Sequence, residues 1–312
     1  MADYLTFQNL YDEVTQAIKD FDDALLTTAK HAINQTYFEM LSADPLFPLF
    51  WLVDFDDTLA CVADMTISGI TVADPGVITV DAAHGLSTND IVQVYGIVGT
   101  MSVLNNRIYK VNSVPATTTL SLIDLDSLNA IATTGLAYTS DGTVVHRGRV
   151  LGVTGKNVQR LLAARWHGEG EPMKEITWKE LEDETGLLDS SQSRPTRYML
   201  RKNYSTAGVE NNQLLWFPGS DGAYDLRYWF VARPSILSAV GDTPLMPPQF
   251  HHGITAGAIS RLAEYSVQVE NAVIWPQIYL KTKQDMVDFN RQWWKEHDPT
   301  VDPSRAGKPY MI

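Results

Sequence analysis

The chain has 312 residues and a single cysteine, Cys61, so no intramolecular disulfide holds it together. It has no apolar run near the ~20 residues that a membrane-spanning helix needs, and no membrane partner is expected. Basic residues are also scarce: 24 Lys and Arg stand against 37 Asp and Glu, a net charge of −13. Such a chain does not hold nucleic acid by neutralising phosphates. Enzyme signatures are missing as well. There is no Gly-rich phosphate loop ending in Lys-Ser/Thr, no paired cysteine ligands and no His-Glu-x-x-His. No cofactor and no metal site is therefore expected. His251-His252 are adjacent and point apart on a helix, so they read as a polar pair at a helix start. The first residues lack the basic start and apolar stretch of a signal peptide, which makes the cytoplasm the expected place of synthesis.

The most informative absence is regional. Residues 66–147 are 82 positions without one Glu, Trp or Phe, while all eight Trp and ten Phe lie outside them. The segment is rich in Thr, Val, Ile, Gly and Asn. Six short β-type runs stand out: Thr66–Val72, Val77–Val80, Ile91–Tyr95, Arg107–Val114, Thr118–Leu122 and Thr143–His146. Gly, Asn, Asp or Pro separates them, which is the pattern of a small all-β barrel or sandwich. His84, between Ala and Gly, reads as a turn residue. We expect this β module to be inserted into a different domain.

Charge divides the chain in the same way. Residues 1–65 hold twelve Asp and Glu against two Lys (−10), residues 66–147 six against three (−3), and residues 148–312 nineteen of each sign. Asp12, Glu13, Asp20, Asp22 and Asp23 fall on or beside two helical patterns. In the first, Phe7, Leu10, Tyr11, Val14 and Ile18 share a face behind a Thr6 cap. In the second, Leu25, Ala29, Ile33 and Leu41 share a face until Pro45 and Pro48 end it. The product is an acidic helical hairpin.

Two further helices are expected after Pro248, the second with Pro276 in its first turn. It carries Trp275, Tyr279, Thr282, Met286, Phe289 and Trp293 at spacings of four and three, with Trp294 beside them. This 3.5-residue period suits packing along another helix, either in the core or between subunits. Between the module and these helices, Asn157–Trp166 and Thr177–Glu184 read as short helices. Thr196–Arg201, Gln213–Phe217 and Tyr224–Ala232 read as a three-stranded antiparallel meander. After Trp294 the pattern stops, and the chain ends Pro309-Tyr310-Met311-Ile312. Such an apolar end on an otherwise coreless tail reads as a docking arm.

Three resemblances carry functional content. His84-Gly85-Leu86, Asn89-Asp90-Ile91-Val92 and Leu104-Asn105-Asn106-Arg107-Ile108-Tyr109-Lys110-Val111 resemble a small β-barrel module common in phage structural proteins, itself similar to a non-catalytic half-domain of ubiquitin-activating enzymes. Asp54-Phe55-Asp56-Asp57-Thr58-Leu59 resembles the first motif of haloacid-dehalogenase-type phosphatases, which implies Asp54 as nucleophile, Asp56 as acid and base, and Mg²⁺ between carboxylates. Gly241-Asp242 lacks the second carboxylate that the family's later motif requires, and a helical hairpin precedes the first motif. The frame resembles the head-to-tail adaptor (connector) proteins of tailed bacteriophages. That likeness rests on the Phe7-x-x-Leu10-x-x-x-Val14 helix, on Tyr224–Trp229 leading through Arg233–Ser238 to Asp242-Thr243-Pro244, and on the helix with Ala256, Ala258 and Ala263.

The expected fold is therefore α+β. A helical adaptor core (1–65 and 148–297) with a short antiparallel meander carries the inserted β module (66–147) and an extended arm (298–312). The adaptor resemblance implies a non-enzymatic ring of twelve subunits in the virion neck, at the head-to-tail junction beneath the portal. Portal and tail or neck proteins are its implied partners, and DNA passes through without sequence-specific binding. Pro309, Tyr310, Met311 and Ile312 would anchor the arm, with Trp293 and Trp294 at its base and the acidic hairpin lining the lumen. A glycan- or surface-binding virion protein acting through the β module is the third reading.

Overall fold

The computed structural model describes residues 5–18, 23–44, 46–151, 158–168, 171–183, 193–204, 210–264 and 272–297. In chain order its elements begin with helices α1 (Phe7–Gln16) and α2 (Asp23–Leu41). Strands follow: β1 (Val53–Cys61), β2 (Met65–Ile70), β3 (Val77–Val80), β4 (Asp90–Tyr95), β5 (Val98–Gly99), β6 (Arg107–Ala116) and β7 (Thr119–Asp124). Next come β8 (Tyr138–Ser140), β9 (Thr143–Leu151), β10 (Val158–Trp166), β11 (Lys174–Glu175) and helix α3 (Trp178–Asp183). Strands β12 (Arg197–Tyr204), β13 (Glu210–Phe217) and β14 (Tyr224–Ala232) lead to helices α4 (His251–Glu264) and α5 (Ile274–His297). They form two compact units. One is helical and drawn from both ends of the chain, up to Val53 and from Arg233; the other is the β unit, Asp54 to Ala232.

The β unit contains a closed barrel. Strand β2 pairs with β3, β3 with β7, β7 with β6, β6 with β4, β4 with β9, and β9 returns to β2, every pairing antiparallel. Closure removes the edges that an open sheet of this composition would expose. Ile67, Val80, Val92, Val94, Val111 and Leu120 fill the interior. The six strands are the six expected from the sequence, and a barrel is their arrangement.

Strand β9 outruns the barrel. Its residues Gly148 to Leu151 pair with β13, which pairs with β12, which takes β11 in parallel. Gly148 is required there, because any Cβ would collide with the Leu214 carbonyl of β13. A separate three-stranded sheet, ordered β1-β14-β10, packs Leu59, Cys61, Leu161, Trp166, Tyr228 and Phe230 into a second core with Trp216.

These pairings correct the expected fold class. Strand outweighs helix, 36% against 31%, and the molecule is not a helical core bearing a small β decoration. The supposed meander does not exist as one sheet: Tyr224–Ala232 leaves β12 and β13 and pairs with β10 instead. Val158–Trp166, expected as a helix, is that β10 strand. Its Leu, Ala and Arg favour helix locally, but its apolar positions also suit a strand, and pairing with β14 overrides propensity. The phosphatase-like run Asp54–Asp57 lies within β1.

The helical unit follows its sequence signals closely. The Thr6 hydroxyl accepts the Asn9 N–H, and Asn9 accepts the Thr6 N–H in return, so α1 starts with both donors satisfied. Phe7, Leu10 and Val14 are buried. Helix α4 is central, packing against α1, α2 and α5. At Gly257 a Cβ would strike the Thr36 methyl group and the Tyr279 ring, so the missing side chain lets α2 and α5 close on α4.

Candidate functional site

The aromatic stripe of α5 divides along its length. Met286 and Trp294 are buried, and the Trp294 indole N–H donates to the Pro48 carbonyl at 2.8 Å. Thr282 is buried too, donating to the Ile278 carbonyl at 2.8 Å and lying 3.0 Å from His252 Nε2. Trp275 and Tyr279 are half-buried, and Phe289 is exposed. Trp293 stacks on Phe50 with ring centroids 4.4 Å apart, and His297 stacks on its other side, also at 4.4 Å. Most of the stripe is thus internal packing, while Phe50, Trp293 and His297 form an aromatic ledge at the end of α5. The arm residues Pro309, Tyr310, Met311 and Ile312, which follow it, lie outside the described residues.

The acidic hairpin is only partly described. Asp12 is exposed and accepts a bond from the Gln8 side chain at 2.7 Å. Glu13 accepts from Thr255 of α4 at 2.9 Å, so it also ties α1 to α4. Asp20 and Asp22 lie outside the described residues, and Asp23 opens α2. Farther along, Glu39 sits between Arg261 and Lys283. Burial alone would lift its carboxyl, but the Lys283 hydrogen bond and the charges of Lys283 and Arg261 outweigh that and hold it below the usual range. Asp44 is fully buried and accepts the Leu46 and Phe47 N–H groups while pairing with Arg291 of α5 at 3.2 Å. The acids of this unit therefore include internal ties as well as exposed charge.

The phosphatase-like motif has a different setting from the one its resemblance implies. Asp54, Asp56 and Asp57 lie along β1, an edge strand of the three-stranded sheet, rather than at a strand's C-terminal end. Asp56 is buried and accepts the N–H and hydroxyl of Thr58 at 2.8 and 2.7 Å. Asp57 pairs with Arg227 at 3.0 Å. Among the described residues, no group of three or more His, Cys, Asp or Glu is placed to hold a metal ion. Asp242 accepts the Ser238 and Ala239 N–H groups in a turn of the helical unit. Gly152–Thr154 and Lys156, which the same resemblance would take as part of its second motif and as its cation, fall outside the described residues.

The histidines are structural. His251 Nδ1 accepts the Leu5 N–H at 3.2 Å, and Nε2 lies 3.1 Å from the Met246 carbonyl, which suits a neutral ring donating there. Burial pushes its pKa down. His84 Nδ1 accepts the Leu86 N–H at 3.0 Å within its turn.

Two arrangements escaped sequence reading. The first is buried where β9 leaves the barrel. His146 accepts the Val62 N–H on Nδ1 at 3.1 Å, and Nε2 faces the Gly148 carbonyl at 2.9 Å. Asp90 lies 3.9 Å from that ring and 3.5 Å from Arg149. Burial drives the His146 pKa down to about 3 and the Asp90 carboxyl up to about 6. The second is the outer face of the β1-β14-β10 sheet. There Arg227 lies 5.5 Å from the Phe55 ring centroid and Arg165 lies 4.7 Å from that of Trp229. Neither follows a spacing rule, because the partners come from segments 56 or more residues apart.

No family model matches the chain, and no curated protein matches it.

Proposed function

We propose that this chain is a structural virion protein of a tailed bacteriophage, forming the head-to-tail adaptor ring beneath the portal. One observation carries the reading. The two ends of the chain come together as a compact helical unit, with α1 and α2 packed on α4 and α5, and the whole β unit is carried between them. Such a unit can repeat side by side around an axis while each copy carries its own β unit. The function needs no catalytic step. Portal and tail proteins bind the two ends of the ring, twelve copies leave an opening for DNA, and exposed acids of the hairpin keep the passing polyanion from sticking. The arm, residues 299–312, orders on the portal and exchanges chain entropy for buried apolar contact.

The purified protein, imaged by electron microscopy and labelled in virions, tests this. A ring located at the neck is the expected result; a species absent from virions overturns it. Removing residues 299–312 is expected to leave a folded protein that no longer co-sediments with portal rings, and unchanged co-sedimentation would sink the arm. Mg²⁺-dependent phosphate-ester hydrolysis that Asp54→Asn abolishes would replace the adaptor reading with the phosphatase one.

A further inference from the structure

The helical unit exposes two apolar surfaces on different segments, one at the start of α5 and one between β14 and α4. The first spans the turn before α5 and the helix's opening turns. Val273, in that turn, is 77% exposed, Ile274 is 50% exposed and Leu280 is 63% exposed, with Gln277 and Leu280 on one side of the helix. The opposite face of these turns is the one that packs inward, through Tyr279 against Gly257 and Thr282 against Gly253.

The second surface lies on the segment that joins β14 to α4. Ile236 and Val240 are 64% and 67% exposed. This segment has a fixed path. The Leu237 N–H and carbonyl both bond to the Asn34 amide of α2, at 2.8 and 2.9 Å. The Val240 and Asp242 carbonyls accept the Gln8 and Phe7 N–H groups at the start of α1, at 3.4 and 2.7 Å. The Asp242 carboxylate closes the intervening turn through the Ser238 and Ala239 N–H groups. Ile236 and Val240 are thus held outward by a pinned backbone, and ordering them on a partner costs little further entropy.

The rims of the two surfaces carry opposite charge. Lys281, next to Leu280, is exposed and makes no ion pair among the described residues. Asp12 is exposed one turn beyond Gln8, whose side chain it accepts. Helix α1 has no Lys or Arg at all.

We infer that these surfaces are the two halves of one head-to-tail interface between copies of this chain, with Val273, Ile274 and Leu280 of one copy seated on Ile236 and Val240 of the next, and Lys281 facing Asp12. A ring needs two different complementary patches on every subunit, whereas a twofold dimer needs one self-complementary patch. Two apolar patches of matched chemistry, on different segments of the unit and edged by opposite charges, meet the first requirement. The inference deepens the ring reading above and rests on it for closure, but not for the pairing itself.

Sedimentation velocity and native mass spectrometry of the full chain test it. Wild type is expected to form species larger than a dimer. Val240→Asp and Leu280→Asp are each expected to lose every species above the monomer while keeping the wild-type thermal midpoint, since both side chains are exposed. Mixing the two variants is expected to restore a one-to-one dimer and nothing larger, because each supplies the half that the other has lost. Asp12→Lys and Lys281→Glu are each expected to weaken association by at least about tenfold, and the double variant to recover it. A monomeric wild type, a mixture without heterodimer, or single variants that still assemble would overturn the inference. Assembly with this pairing in a protein absent from the virion neck would overturn the adaptor role and leave the interface standing.

Discussion

The six-stranded barrel and the three-stranded sheet β1-β14-β10 belong to the same β unit but are built by opposite rules. The barrel draws on residues 65–151, closes on itself and leaves none of its six strands as an edge of that ring. The smaller sheet joins segments 53–61, 158–166 and 224–232, has two edges, and balances a buried face of Tyr228 and Phe230 against an outer face of Arg and aromatic side chains. The first is contained in one continuous stretch of the chain. The second exists only once distant parts of the chain have met.

The strongest break in this comparison lies where β9 belongs to both the barrel and β13. Gly148→Val is expected to cost about 4 kcal/mol or more and to detach β12 and β13, because the Leu214 carbonyl occupies the space that the side chain would need. Urea unfolding followed by far-ultraviolet circular dichroism measures it, and a wild-type midpoint would contradict the packing. Next come the two cores. Phe230→Ala is expected to cost about 4 kcal/mol and Leu120→Ala about 3 kcal/mol, as both side chains are fully buried. All tryptophans lie outside residues 66–147, with Trp166 and Trp229 in the open sheet and Trp51, Trp275, Trp293 and Trp294 in the helical unit, so their fluorescence reports the molecule outside the barrel while circular dichroism includes the barrel. Coincident transitions would show one cooperative unit. Separate ones would make the barrel independent.

The buried pair at the joint sets a pH test. Asp90, raised to about 6, contributes stability that is fully present below the ordinary carboxylate pKa and lost as pH rises through 6. His146, lowered to about 3, contributes stability present above pH 6.5 and lost as pH falls toward 3. Between pH 6.5 and 4 each amounts to about 3 kcal/mol, of opposite sign, so their sum is nearly flat. Asp90→Asn removes one side. That variant is expected to lose about 3 kcal/mol over this interval, measured by thermal unfolding at each pH, with Arg149 as the remaining charge nearby. An unchanged profile would show that the carboxyl is not held in apolar surroundings. The smallest expected effect is on the outer face of the open sheet. Arg165→Ala is expected to cost under about 1 kcal/mol, the scale of an exposed cation–π contact, and a larger loss would mean that this face is packed more tightly than the barrel comparison allows.

This contrast also explains what could be read in advance. The six barrel strands are short, rich in β-branched residues and bounded by Gly, Asn, Asp or Pro, so each was recognisable alone. Helices α1, α2, α4 and α5 announce themselves through Thr6, Pro45, Pro48, Pro248 and Pro276. Val158–Trp166 misled because Leu161, Leu162, Ala163 and Ala164 suit a helix until Phe230 and Trp229 lie beside them as strand partners. Asp54–Asp57 misled because carboxylates in a row suggest a loop or a site, whereas Asp56 turns inward to Thr58 and Asp57 turns to Arg227. The apolar positions on α5 were visible as a period, but which of them face outward depends on where Gly253 and Gly257 admit Thr282 and Tyr279. Spacing alone does not encode that choice.

The helical unit draws on both ends of the chain, and this has a consequence in time. Translation delivers α1 and α2 first, then 244 residues from Asp54 to His297 before α5 is complete. At roughly 5–20 residues per second this interval lasts about 12–50 s. For most of it, until α4 is complete at Glu264, Phe7, Leu10, Val14 and Ile33 have no α4 to cover them. The β unit, contiguous in sequence, has every strand in hand some 65 residues earlier. The nascent chain therefore carries its finished part in the middle, and a hairpin waiting at its leading end is the segment most open to a chaperone.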